Sequence, residues 1–212
     1  MFLVLETEYG RTPIKALLLM SSGIAFSEDY ANTSSDIYTL ARLTLEQDPG
    51  GSLAAVKRFN TRRAAPGALF SYSSAETLVL GLVLAAATKR TVSDYAAEKL
   101  WQPLGAEADA TWIIDATGQE ITFAYVNAVL RDWARLGLML ANRGNWFGKT
   151  VVPEDWLRAS ATNAIPTESP REIRISGLVF CRHQAILTSR PPRTIRSCRS
   201  GPEIGARADR PQ

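Results

Sequence analysis

A tyrosine and three serines stand together in the stretch FSYSSAE, residues 70–76, just before a long apolar run. A helix start needs one capping hydroxyl, so this group holds more hydroxyls than capping requires. Tyr72 has the chemistry of a general base, but a phenol has a usual pKa of about 10 and needs nearby cations to lose its proton. The alternative is an aromatic side chain that packs at a helix N-terminus, and the residues alone favour it.

Several familiar catalytic motifs are absent from the sequence. The one histidine is His183, so no Ser-His-Asp triad is available before it. There is no G-x-S-x-G elbow, P-loop, dinucleotide fingerprint or H-E-x-x-H. A serine hydrolase without histidine can use S-x-x-K, which places serine and lysine on one helix face. None of the five lysines has a serine three residues before it. The nearest imitation is Thr12-Pro13-Ile14-Lys15, where a helix cap explains Thr12 better.

The composition is that of a globular protein with a basic tail. The 212 residues are 46% hydrophobic and 21% charged. Residues 181–212 hold seven arginines against two acidic residues, together with both cysteines and the histidine. Two cysteines and one histidine do not make a zinc site, so we expect neither a metal nor a cofactor. The body of the chain is mildly acidic, and we therefore expect no nucleic-acid partner.

Membrane and export signals are also missing from these residues. The longest apolar runs, VLGLVLAAA and ALLLM, are too short to cross a bilayer. Residues 1–5 are apolar, but Glu6 and Glu8 follow at once, and the basic start of a signal peptide is absent. As written, the chain is therefore expected to lack a membrane span and to be cytoplasmic.

The elements that would position Tyr72 are mainly helices. Thr12 is predicted to cap a first helix, and Ser35 or Asp36 a second. The run after FSYSS predicts a helix over 75–89 with apolar residues nearly all around it, hence a buried central helix. Residues 110–115 predict a short strand. The remaining helices are predicted over SLAAVKRF, over YAAEKLW, after an Asn127 cap with an apolar stripe from Val129 to Leu140, and over 153–161.

The periodic pattern ends near residue 170. Beyond it lie scattered arginines and prolines with no helical or strand period. We therefore expect residues 1–170 to form one domain and residues 171–212 to form an irregular, disordered basic tail.

Five blocks of sequence carry a resemblance to a known family. They are LLLMSSGI (17–24), PGALFSYSSAETLVLGLVL (66–84), DYAAEKLWQPLGAEADATW (94–112), NAVLRDWARLGLMLANRG (127–144) and GKTVVPEDWL (148–157). Together they resemble the class C β-lactamase-related serine hydrolases, and within them the branch of 6-aminohexanoate-oligomer hydrolases and esterases. The resemblance covers roughly residues 9–170.

The resemblance implies a site of which only one part is present. The family combines S-x-x-K, a Tyr-x-Asn or Tyr-x-Ser motif, and a Lys-Thr-Gly-like or His-x-Gly-like strand. Tyr72 matches the tyrosine that serves as general base. Ser74 matches the substrate-side polar group, although helix capping is an equal alternative for it. The first and third parts are not found, so the resemblance implies a chain truncated at both ends.

The family fold is a helical subdomain packed on an antiparallel sheet, so the resemblance implies a mainly helical chain with most of that sheet missing. The implied activity is hydrolysis of a small-molecule amide or ester through an acyl-enzyme, and without S-x-x-K we expect the chain to be inactive as written. The alternative is a non-catalytic remnant or a helical binding protein.

In the fourth block, Asp132 stands three residues before Arg135, and this spacing predicts a structural ion pair within the helix.

Overall fold

The computed structural model describes residues 6–46, 48–162, 165 and 193–197. Helices dominate this part of the chain, and the strands are short. A 3-10 turn at Tyr9–Arg11 precedes helices α1 (Ile14–Leu18), α2 (Asp36–Leu45), α3 (Gly51–Lys57), α4 (Ser74–Thr88), α5 (Val92–Ala96, continued by a π-helical turn at Ala97–Trp101), α6 (Leu130–Ala141) and α7 (Glu154–Thr162). The strands are β1 (Ala110–Trp112), β2 (Val126–Asn127), β3 (Asn145–Trp146), β4 (Lys149–Thr150) and β5 (Arg193–Ile195).

Helix α4 is the central element, and it begins one residue before the predicted start. It ends where Lys89 adopts a left-handed conformation with φ of 58°, which breaks the helical hydrogen-bond ladder. The first half of α4 is buried, with Leu78 and Val79 in the main core. Its second half is only partly covered. The prediction of a central buried helix therefore holds for the half that follows Tyr72.

The main core brings α1, α2, α3 and the first half of α4 together. Its rings include Phe26 and Phe59, which pack edge to face with centroids 5.0 Å apart. The other buried members are Tyr9, Leu17, Ile24, Ile37, Leu40, Leu43, Ala55, Val56, Ala75, Leu78 and Val79. This apolar packing holds the loop after α1 against the start of α4, where the tyrosine lies.

Gly81 permits a close approach on the other side of α4. A Cβ at this position would lie 2.2 Å from the Oγ1 of Thr122. The same Thr122 hydroxyl donates a hydrogen bond of 2.9 Å to the carbonyl of Thr77, one turn earlier in the helix. The segment around residue 122 thus packs directly on the helix backbone, which a larger residue would prevent.

A small antiparallel sheet has the order β2-β1-β5. Thr111 of β1 pairs with Asn127 on one side and with Thr194 on the other. The predicted strand at 110–115 is confirmed for Ala110–Trp112, and Ile114 adds an isolated bridge to Glu120. β3 and β4 form a separate hairpin.

Part of the predicted tail differs from the expectation. Arg193–Ile195 form strand β5, and Ile195 is buried against Trp101 and Ala110 in a second apolar cluster. Strand β5 could not be predicted from sequence periodicity, because a strand of three residues is too short to show an alternating pattern. The other residues of 171–212 lie outside the described part of the chain.

Two predicted helix caps are wrong. The hydroxyl of Thr12 donates to the carbonyl of Glu8 at 2.8 Å, and Pro13 takes the N-cap position of α1. Asn127 pairs in β2, and Val129 stands at the N-cap of α6 without a side-chain cap. Thr12 also accepts from Arg62, and Asn127 pairs with Thr111, so tertiary contacts take both polar residues away from the helix ends that local sequence assigns to them. Ser35 does stand at the N-cap of α2.

The apolar stripe of α6 is only partly covered in the described structure, since Trp133, Leu136 and Leu140 are half-buried while Leu130 is exposed. Leu130 is 83% exposed and Leu138 56% exposed, whereas the buried residues of the helix are Asp132 and Met139. Amphipathic spacing identifies the helix, but it does not say that its apolar side is covered. The structure thus shows a helix whose polar residue Asp132 is buried and whose leucines Leu130 and Leu138 are exposed.

Among the helices of the described residues, none combines the length and the apolar character that a membrane crossing requires.

Candidate active site at the start of helix α4

Tyr72 lies in an extended segment that enters α4, and it is partly exposed. The residue before it, Ser71, donates its backbone N–H to the carbonyl of Met20 at 2.8 Å. Gly67 likewise donates to the carbonyl of Ser21 at 2.7 Å. The segment Met20–Ser22 therefore runs beside the approach to Tyr72 and determines where its backbone lies.

Glu28 holds the first residue of the helix. Its carboxylate accepts the backbone N–H of Ser74 at 2.6 Å and the Ser74 hydroxyl at 2.7 Å. A helix N-terminus presents unpaired N–H groups and partial positive charge, so a carboxylate is well suited to it. The loop after α1 thus supplies the anion that closes the start of α4.

The two roles considered for Ser74 can be compared with its surroundings. Ser74 is buried, and its hydroxyl hydrogen is directed to Glu28. It does not cap the helix itself, because Ser73 occupies the N-cap position. Its match to a substrate-side polar group stays a prediction.

Ser73 and Glu76 have the spacing of a capping box, in which the two side chains satisfy one another's backbone N–H groups. The structure does not use it: Ser73 makes no side-chain cap. Glu76 turns instead to Ser22, whose N–H and hydroxyl both donate to its Oε1 at 3.2 and 2.7 Å. A carboxyl 54 residues along the chain thereby ties the loop after α1 to the first turn of α4.

Glu76 is 2% exposed, and its environment changes its acidity. Burial raises the pKa of Glu76 to about 7, although the hydrogen bonds from Ser22 and Ser21 act in the opposite direction. Desolvation is the larger effect because it penalises the charged carboxylate throughout a buried site.

Tyr9 is a buried tyrosine near Glu76 and Ser73. Burial, and then the negative charge of Glu76, raise the pKa of the Tyr9 hydroxyl, while the nearby Ser73 hydroxyl opposes the change. The hydroxyls of Tyr9 and Ser73 and the Oε2 of Glu76 are buried and lie outside hydrogen-bond geometry with the described residues. We call Tyr9, Ser22, Ser73 and Glu76 the buried polar cluster.

Arg62 links Ser22 of the buried polar cluster to residues near the start of the described chain. Its guanidinium donates to the carbonyl of Ser22 at 2.5 Å, to the carboxylate and carbonyl of Glu8 at 2.6 and 2.7 Å, and to the Thr12 hydroxyl at 2.9 Å. Thr12 is thus a buried acceptor for arginine, while Lys15 is exposed. These two residues do not form a serine–lysine-like pair.

The predicted ion pair of α6 is confirmed. Arg135 contacts the buried carboxylate of Asp132 at 2.5 Å. Asp132 also accepts the backbone N–H groups of Glu107 and Ala108 at 2.9 and 3.2 Å. The pair anchors the loop after α5 and has a structural role.

The sequence analysis did not single out Glu28, Glu76, Tyr9 or Arg62. The capping-box spacing of Ser73 and Glu76 is the one local signal for this set, and it indicates the wrong partner. No group of three histidine, cysteine, aspartate or glutamate side chains converges on a metal-binding geometry in the portion of the chain that the structure describes.

Comparison with known proteins assigns the chain to a family. The model of the Beta-lactamase family matches residues 4–164, so the chain belongs to the β-lactamase family of hydrolases. The sequence is 29% identical over 154 residues to the 6-aminohexanoate-dimer hydrolase of Paenarthrobacter ureafaciens, across 71% of this chain and 39% of that protein.

Solved structures agree on the fold. A 6-aminohexanoate-dimer hydrolase-like protein from Bacillus anthracis superposes with a TM-score of 0.66 at 24% identity, across 76% of this chain and 44% of that one. A penicillin-binding protein homologue from Pyrococcus abyssi gives a TM-score of 0.55 at 19% identity, across 76% and 40%. The chain therefore has a β-lactamase/transpeptidase-like fold and spans about two fifths of the length of these relatives.

Proposed function

We propose that this chain carries the tyrosine side of a serine hydrolase site that cleaves an amide or ester bond through an acyl-enzyme. The observation that carries the proposal is the placement of Tyr72. It is a partly exposed phenol at the entry of a buried helix, and its neighbours Ser71 and Ser74 are bonded to Met20 and Glu28. A general base must be accessible and held within reach of the proton that it takes, and the partial exposure of Tyr72 and the anchored backbone on both sides of it support this role.

In this mechanism Tyr72 takes the proton of an attacking serine and returns it to the leaving group, and then activates the hydrolytic water. The phenol needs positive charge nearby to act at neutral pH. One guanidinium is already beside the segment, since Arg63 donates to the Ser71 hydroxyl at 2.8 Å. Ser74 serves as the substrate-side polar group, with Glu28 fixing its position.

We infer that the chain supplies the helical part of the family fold and that most of the antiparallel sheet is not encoded in its 212 residues. The same residues contain no S-x-x-K sequence. The isolated chain is therefore inactive, and hydrolysis needs a nucleophile from additional polypeptide. The substrate class is a small amide or ester, which agrees with the name of the Paenarthrobacter relative.

A second candidate function is a non-catalytic helical binding protein. The outward leucines of α6, Leu130 and Leu138, favour it, because a monomer gains nothing from exposing them together. In that case Tyr72 is a packing residue of a site that performs no chemistry.

A chimera separates these two functions. Residues 4–164 replace the matching segment of the Paenarthrobacter hydrolase, and hydrolysis of p-nitrophenyl acetate is measured. We expect Tyr72→Phe to lower kcat at least about 100-fold, as loss of a general base does. Tyr38→Phe, which removes an exposed hydroxyl bonded to the Tyr30 carbonyl, is the matched control and should leave kcat unchanged.

Equal activity of the Tyr72→Phe chimera and its parent would remove Tyr72 from the mechanism. The inactivity of the isolated chain has its own test, since a fluorophosphonate labels only an activated serine. Stoichiometric labelling of the 212-residue protein would show that it holds a nucleophile after all.

A further inference from the structure

Glu76 is a buried carboxyl that the mechanism above does not use. It lies in the first turn of α4, yet neither of its oxygens contacts the helix end in the manner of a capping box. Its Oε1 receives both hydrogen bonds of Ser22, and its Oε2 faces the interior without a protein partner among the residues described. Burying a carboxyl in this way is costly, so its placement calls for a reason.

The residues that Glu76 holds are those that place Tyr72. Ser22 continues the Met20–Ser22 segment, whose carbonyls accept the N–H groups of Ser71 and Gly67. A hydrogen-bonded path therefore runs from the Glu76 carboxyl through Ser22 and Met20 to the backbone beside Tyr72. Met20 has a positive φ of 51°, which is strained for this residue type, so the segment needs an external restraint to keep this conformation.

The burial of Glu76 favours a neutral carboxyl, since its side chain is 2% exposed and ionisation would leave a charge in a buried site. The hydroxyls of Tyr9 and Ser73 and the Oε2 of Glu76 are buried and without a hydrogen-bond partner among the described residues. Because a hydroxyl can donate as well as accept, these two hydroxyls do not select the protonation state of Glu76.

Charged groups on the surrounding elements do not neutralise Glu76 directly. Arg62 donates hydrogen bonds to the Ser22 carbonyl, to Glu8 and to the Thr12 hydroxyl. Glu28 is bonded to Ser74, and Asp36 of α2 acts on Tyr9. The remaining charged groups on helices packed against α4 are Lys15 of α1, Arg42 of α2, Lys57 of α3 and Asp94 of α5. Burial raises the pKa of Glu76, and the hydrogen bonds from Ser22 and Ser21 oppose this increase.

We propose that Glu76 is a positioning residue: its neutral carboxyl clamps the Met20–Ser22 segment against the start of α4 and so holds Tyr72 at the site. Loss of its proton leaves a charge in this buried site, and this cost favours opening of the clamp even though the Ser22 hydrogen bonds themselves are stronger to a carboxylate. The placement of Tyr72 therefore depends on pH. The proposal deepens the hydrolase function above and rests on it for the role of Tyr72, but the clamp itself is independent of any activity.

Hydrogen exchange of the full 212-residue chain tests the clamp. Protection of the Ser71 and Gly67 amides is measured from pH 5 to 8 and corrected for intrinsic exchange, with the amides of α2 as a reference for global unfolding. If opening releases Glu76 to a pKa near its ordinary value, protection should fall about tenfold per pH unit up to about pH 7 and then level off.

Two variants make the test decisive. Glu76→Gln keeps an acceptor for Ser22 and cannot ionise, so its protection should exceed that of the wild type by no more than about fivefold at pH 5 and should stay flat with pH. Glu76→Ala should lose protection at every pH. Glu46→Gln changes an exposed glutamate at the end of α2 and should behave as the wild type.

A wild-type profile no steeper than that of Glu76→Gln would overturn the proposal, even if Glu76→Ala fails to fold. The outcome is separable from the proposed function. A steep, Glu76-dependent profile together with a chimera that is indifferent to Tyr72→Phe would keep the clamp and reject the catalytic role.

Discussion

The carboxylate of Glu28 accepts both the backbone N–H and the hydroxyl of Ser74, at 2.6 and 2.7 Å. A residue 46 positions away in the chain therefore closes the helix that Tyr72 precedes. This long-range cap couples the loop after α1 to the central helix, so the order of the site depends on the packing of two separate segments.

Replacing Glu28 tests the cap. Glu28→Gln keeps one acceptor oxygen but cannot accept both hydrogen bonds, and we expect it to lower the free energy of unfolding by about 1–2 kcal/mol. Urea unfolding followed by circular dichroism measures the change. Glu46→Gln is the control, because its ion pair with Arg42 is long (3.9 Å) and exposed, and it should change stability by less than about 0.5 kcal/mol. Equal effects of the two variants would contradict the role of Glu28.

Two helical glycines make a matched pair. A Cβ at Gly81 would meet Thr122 at 2.2 Å, so Gly81→Ala should destabilise the protein by about 1–3 kcal/mol through overpacking. A Cβ at Gly137 in α6 would meet no atom within 4 Å, so Gly137→Ala should stabilise the protein by about 0.5–1 kcal/mol through helix propensity. Thermal unfolding of both variants gives the signs, and a stabilising Gly81→Ala would show that the contact at Thr122 relaxes freely.

The environment of Asp115 should make the free energy of unfolding fall in acid. Burial would raise its pKa, but hydrogen bonds from Ser52, Thr117 and Gln119 outweigh burial and hold the pKa below its ordinary value. A group with a depressed folded-state pKa stabilises the protein above its unfolded pKa of about 4, and that contribution is lost as the pH falls through the folded value.

The measurement is the urea midpoint of the wild type and of Asp115→Asn between pH 6 and pH 3. We expect the wild type to be the more stable at pH 6 and the difference to shrink steadily below pH 4. Other titrating groups are common to both proteins and cancel in the difference. A difference that stays constant to pH 3 would contradict the ionised, hydrogen-bonded state of Asp115.

Two helical ion pairs of the same spacing should differ in strength. Asp132, with a side chain 1% exposed, is bonded to Arg135 and to two backbone N–H groups, and Asp132→Ala should cost about 3–5 kcal/mol. Asp155 is 87% exposed in its pair with Arg158, and Asp155→Ala should cost no more than about 1 kcal/mol. Chemical denaturation of the two variants compares them directly, and similar costs would mean that burial does not strengthen the first pair.

Local sequence patterns were enough to predict the main helices and to locate the tyrosine before one of them. The run after FSYSS predicted α4 to within one residue at each end, and ATWIID predicted β1, because hydrophobic period and turn residues are local signals. Five sequence blocks, taken in their order along the chain, indicated the β-lactamase family. The spacing of Asp132 and Arg135 was enough to predict their ion pair.

The hydrogen-bond partners of the polar residues around Tyr72 could not be predicted, because they depend on how distant segments pack. Local spacing paired Ser73 with Glu76, put Thr12 on α1 and Asn127 on α6, yet each of these residues has other partners or none. A carboxylate or hydroxyl bonds to whatever buried donor or acceptor packing brings close, and here Ser22 lies 54 residues from Glu76. Helix α4 was therefore predictable from local sequence. The contacts of Glu76 with Ser22 and of Glu28 with Ser74, which hold its first turn, arise from the packing of distant segments.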